Sequence, residues 1–95
     1  METVHIDTGF LLRAVNLELA KADEAVRELN RLSTIGYSNS QTGLDVARSA
    51  KEHLMKARDL IEPVNIPMAE PAKRRISEAI GRQDYIIWSI ELYLK

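Results

Sequence analysis

Apolar residues recur in the first third of the chain at Leu12, Val15, Leu19, Ala22, Val26 and Leu29, in steps of 3, 4, 3, 4 and 3. This is the spacing of one helical face packed against a neighbour. Leu11, Ala25 and Leu32 widen that face on one flank, and Lys21, Asp23, Glu24, Arg27, Glu28 and Arg31 cover the other side. With Asp7 or Thr8 as N-cap, the pattern predicts a helix over about 8–32. Residues 33–42, STIGYSNSQT, lose the period and read as a connection. The period resumes at Ala47, Ala50, Leu54, Ala57 and Ile61, and Thr42 and Asp45 are spaced as a capping box. A second helix is therefore predicted over about 43–62, ended by Pro63. Three of its five seam residues are alanine, which allows close approach of neighbouring helices. In the linker PVNIPMAEP, three prolines restrict the backbone, and the alternation of Val64, Ile66 and Met68 predicts an extended run across the bundle. Pro71 fits the first turn of a third helix, over about 70–94.

The third helix differs from the other two. Its main seam is Ile76, Ile80, Gln83, Ile87, Ile90 and Leu94. A second stripe holds Ala79, Ile86 and Tyr93, and a third, on another side, holds Tyr85, Trp88 and Leu92. From Tyr85 onward the helix is apolar nearly all round, and such a helix must be surrounded. Two neighbours cover about half of it. The expected fold is therefore all-α: an antiparallel three-helix bundle, or helical hairpin with an extra N-terminal helix, forming a homo-oligomer. Its interface would hold Tyr85, Ile86, Trp88, Leu92 and Tyr93. The plainer alternative is that the first helix and the linker wrap this end completely.

Composition narrows the chemistry. The chain has 95 residues, enough for one domain, with 45% hydrophobic and 28% charged side chains, an ordinary globular balance. Cysteine is absent, which removes disulfides, thiolate catalysis and zinc–thiolate sites. No secretion-signal pattern opens the sequence and no apolar run approaches the ~20 residues of a membrane span. A cytoplasmic protein without membrane attachment is expected. The net charge of −1 speaks against general nucleic-acid binding. His5 and His53 form no metal-ligand spacing, the serines sit in no nucleophile-elbow pattern, and four scattered glycines build no phosphate loop. Neither a catalytic residue, nor a metal site, nor a cofactor is expected, and the chain reads as a binding protein rather than an enzyme.

Two features remain. Lys73, Arg74 and Arg75 occupy the first turns of the third helix, where the helix dipole disfavours cations. An anion docked at that end would reverse the effect, with Arg82 extending the patch. A solvated charge run, or ion pairs to the mildly acidic first helix, is the simpler reading. Gly81 sits in mid-helix at a cost of about 1 kcal/mol relative to alanine. Close approach of another helix or a ligand would account for it, and plain close packing is the simpler cause.

The arrangement over residues 36–95 is a loop aromatic (Tyr37 in GYSNS), a helix with basic residues (Arg48 and Lys51 in ARSAKEHL), a proline-containing turn and a last helix. That helix, KRRISEAIGRQDYIIWSIELYL, opens with cations and carries Asp84 and Trp88. It resembles the helical-hairpin sponges that phages use against cyclic-nucleotide immune signalling, of the anti-CBASS and anti-Thoeris type. The chain departs from that pattern in its extra N-terminal helix, its loop sequence and its longer linker. The resemblance implies a symmetric oligomer that sequesters a phosphate-bearing cyclic nucleotide without cleaving it. Tyr37 would then stack on a base, and Arg48, Lys51, Lys73, Arg74 and Arg75 would hold phosphates. The alternative function is a protein-interaction adaptor or inhibitor that uses the apolar face of the last helix.

Overall fold

A computed structural model describes residues 8–95. They form three helices, α1 (Thr8–Thr34), α2 (Gln41–Ile61) and α3 (Glu70–Leu94), with a short 3-10 turn at Pro67–Ala69 and no strand among the described residues. The fold is all-α. The cap expected at Asp7, and His5, lie outside the described residues. No described helix is long and apolar enough to cross a membrane.

The helix ends follow from local hydrogen bonding. α1 runs two residues beyond its expected end because Gly36 takes a positive φ of 74°. Its N–H donates to the Ser33 carbonyl (3.0 Å) and the Tyr37 N–H donates to the Leu32 carbonyl (2.7 Å). This pair of bonds closes the last turn in a Schellman motif. α2 starts earlier than the expected Thr42/Asp45 box. Ser40 is its N-cap: the hydroxyl accepts from the Gly43 N–H (3.0 Å) and donates to the Tyr37 carbonyl (2.7 Å). Asp45 is occupied otherwise, accepting from the Gln41 amide at 3.0 Å. Gly43 is buried, and a Cβ there would run into the Ser38 carbonyl, so the tight loop requires glycine. The linker is not the extended run expected. Val64 is buried, but Pro67–Ala69 coils into the 3-10 turn, which buries Ala69 and leaves Met68 in solvent.

α2 is the central element. It packs closely against both α1 and α3, whereas α1 and α3 meet mainly through side chains of the shared core. All five expected seam residues of α2 are buried: Ala47, Ala50, Leu54, Ala57 and Ile61. α1 packs through its expected face: Val15, Ala22, Leu29 and Leu32 are buried, Leu11 and Leu19 pack on the core, and Val26 is half-buried. Leu12, near the start of the helix, is the one expected seam residue left exposed, at 37%. The core falls into two clusters. One contains Val15, Ala22, Leu54, Ala57, Ile61, Val64, Ala69, Ile76 and Ile80. The other contains Leu29, Leu44, Ala47 and Ile90, with Val46, Ile86 and Ile87 packed against it. Along α3, Gln83 falls between Ile80 of the first cluster and Ile90 of the second. It is 5% exposed, and its carbonyl oxygen Oε1 has no hydrogen-bond partner.

Candidate functional site

Most of the inner seam of α3 is used as its spacing predicts: Ile76, Ile80, Gln83 and Ile90 are buried and Ile87 packs against the core, whereas Leu94, the last expected seam residue, is exposed beyond the reach of the bundle. Ile86 of the second stripe packs within its own chain. The outer stripe is left uncovered. Tyr85 is 68% exposed, Trp88 57% and Leu92 54%. Tyr93, on the flank, is also exposed. The Tyr85 and Trp88 rings stand 5.9 Å apart with their planes tilted by 39°. They form one aromatic ridge on the side of α3 that faces away from α2. Neither α1 nor the linker wraps this end, so the plainer alternative for its burial fails.

Gly81 belongs to the same ridge. Close packing inside the bundle is not its explanation, because a Cβ there would meet nothing within 4 Å. Gly81, Tyr85, Trp88 and Leu92 follow each other in steps of 4, 3 and 4, the seam of a helix that packs on another helix.

The residues expected to bind phosphate are not gathered into one pocket of a single chain. Arg48 faces Glu91 at 3.8 Å and Lys51 pairs with Asp84, so both α2 cations are tied to acids of α3. These two, with Lys56, Met55, Ile87 and the acids Glu52 and Asp59, line an open groove of about 340 Å³, in which Lys56 lies 3.5 Å from Glu52. Lys73 donates to the Glu62 carbonyl at the end of α2 (3.2 Å) and lies 3.7 Å from Glu70. A cation is favourable there because it meets the negative end of the α2 dipole. Lys73 therefore has a structural role that its place in α3 alone does not reveal. Arg74 and Arg75 are exposed. Tyr37 is exposed in the α1–α2 connection. The adjoining Ser38 and Asn39 line a groove with Tyr85 and Ser89. Tyr37 is thus on the order of 20 Å along α3 from the Lys73–Arg75 cluster, at 1.5 Å per residue.

One polar pair has no counterpart in the sequence reading. His53 Nδ1 and Glu18 Oε2 are 2.7 Å apart, with side chains only 22% and 15% exposed. An ionised carboxylate only accepts, so the imidazole N–H donates. This bond, followed by the charge of Lys21, holds the Glu18 carboxyl below the usual carboxylate range against the opposing effect of burial. The signal was present but faint. Glu18 falls midway between Val15 and Ala22 on the inward face of α1, where an unpaired charge would be costly.

No group of three or more His, Asp or Glu residues able to hold a metal ion occurs among the described residues. The chain matches no family model, and no curated protein and no solved structure resembles it significantly.

Proposed function

We propose that this chain is a non-catalytic interaction protein whose working surface is the outer ridge of α3: Tyr85, Trp88 and Leu92. The observation that carries the reading is an aromatic pair more than half exposed on a regular helical seam, continued by a glycine with open space where a Cβ would stand. Contiguous exposed apolar surface of this kind marks binding sites, and Trp and Tyr are the residues that anchor interfaces. Site-specific photo-crosslinking in cells tests it. A photoreactive amino acid replacing Tyr85, Trp88 or Leu92 is expected to give discrete adducts, and one replacing Asp23, Glu52 or Asp59 is not. Equal labelling from both sets of positions would defeat the proposal.

A second reading is a sponge for a phosphate-bearing cyclic nucleotide. It is favoured by the convergence of Arg48, Lys51 and Lys56 on one groove, which Met55, Ile87 and the carboxylates Glu52 and Asp59 also line. A ligand there would have to displace Glu91, Asp84 and Glu52 from their cations. A panel of cyclic nucleotides is then expected to raise the melting temperature and to be recovered unchanged after denaturation. An unshifted melt across the panel would exclude this reading.

A further inference from the structure

The outer ridge of α3 extends beyond its apolar residues. Arg74, Glu78, Gly81, Tyr85, Trp88, Leu92 and Lys95 follow one another in alternating steps of 4 and 3. This is the heptad seam of a helix paired with another helix. It is self-complementary when reversed. If two copies of α3 lie antiparallel with Tyr85 of each beside Trp88 of the other, Gly81 falls opposite the second copy's Leu92. At either end Glu78 then falls opposite the second copy's Lys95. The large leucine meets the residue with no side chain, the two aromatic residues stack in the middle, and opposite charges close both ends. A parallel pairing would set Glu78 against Glu78 and Lys95 against Lys95, which is repulsive.

We infer that the occupant of the ridge is a second copy of this chain, docked antiparallel through α3 with Tyr85 against Trp88 at the two-fold axis. This rests on the ridge being a binding surface and names its partner. Such a contact is isologous and closes at two copies. The two grooves between α1 and α3 are poorer candidates for it, since Asp23, Asn30, Ser33 and Asn39 line them. Tyr85, Trp88 and Leu92 leave on the order of 400 Å² exposed per copy. Two such faces fall below the usual ~1,200–2,000 Å² of a stable complex, which places the contact in the weak, non-obligate size class.

Sedimentation of the full chain from about 1 to about 500 µM is expected to show mass rising from 10.8 kDa toward twice that value. Because the chain has no cysteine, the register is read with single thiols. Gly81→Cys mixed with Leu92→Cys is expected to give a covalent dimer with a short bismaleimide, while neither variant alone does so efficiently. Glu78→Lys is expected to weaken the dimer at least about tenfold, and Glu78→Lys combined with Lys95→Glu to restore it. Circular dichroism checks that each variant remains helical. Self-crosslinking of Gly81→Cys alone, or no rescue by the double charge reversal, overturns the antiparallel register. A monomer at every concentration overturns the second copy as occupant. Photo-adducts from the ridge would then have the mass of a different protein, and the ridge would stand as a binding surface. Adducts scattered over all faces would remove both.

Discussion

Gln83 is a buried amide whose oxygen accepts nothing. A desolvated acceptor of this kind costs about 1–3 kcal/mol relative to a satisfied or absent one. Methionine has nearly the same length and shape and no such oxygen. Gln83→Met is therefore expected to raise the stability of the chain by about 1–3 kcal/mol, read as a higher urea midpoint at unchanged slope. An unchanged or lower midpoint would mean that Oε1 finds a partner in solution. Gln83 is also where spacing and chemistry disagree in the sequence. Its position on the Ile80–Ile90 face fixes its burial, but nothing in the sequence says whether a donor will face it. The opposite holds for Lys73: its chemistry is evident, but its carbonyl partner lies eleven residues away across a turn.

Among the elements, α1 and α2 are joined by a sheltered polar pair, Glu18 and His53. The pair carries a pH signature. Glu18 has its carboxyl held down in the folded state, first by the His53 hydrogen bond. A depressed carboxyl stabilises the fold above its unfolded pKa, and that contribution is lost as pH falls through the folded value. The melting temperature is thus expected to drop on acidification below about pH 5, and less steeply in His53→Gln. Melts at a series of pH values check this, and parallel curves for the two proteins would rule it out. The helices themselves were largely legible. The α2 seam and the inner α3 seam follow from apolar spacing, because burial on one face enforces the period. The ends were less so. Ser38, Ser40 and Thr42 can all cap a helix, and the choice of Ser40 depends on a backbone approach at Gly43 that only the folded loop reveals. Leu12 keeps the period of α1 yet is exposed near its start, because apolar spacing alone does not show where a helix face runs out of neighbours.

At the scale of the whole molecule, the two sides of α3 do different work. Ile90 is buried in the smaller core cluster, and Ile90→Ala is expected to cost about 2–5 kcal/mol of stability. Trp88 and Leu92 are more than half exposed. Replacing both by serine is expected to change the stability of dilute protein by no more than about 0.5 kcal/mol. Chemical denaturation at low concentration compares them, and a large loss in the double-serine variant would mean that the ridge supports its own fold. The presence of the ridge was legible from the all-round apolar character of α3. Its partner was not, because the reversal symmetry that pairs Gly81 with Leu92 emerges only once the outward side of the helix is known.

The central position of α2 has a dynamic consequence. α1 and α3 meet through side chains in both core clusters, and the α1–α2 contact is the more extensive of the two that α2 makes. α3 is therefore the helix whose detachment breaks the smaller contact with α2, at the expense of exposing Ile76, Ile80 and Ile90. Amide protons of α3 are expected to exchange with solvent through this partial opening, sooner than those in the middle of α2, which are released only by complete unravelling.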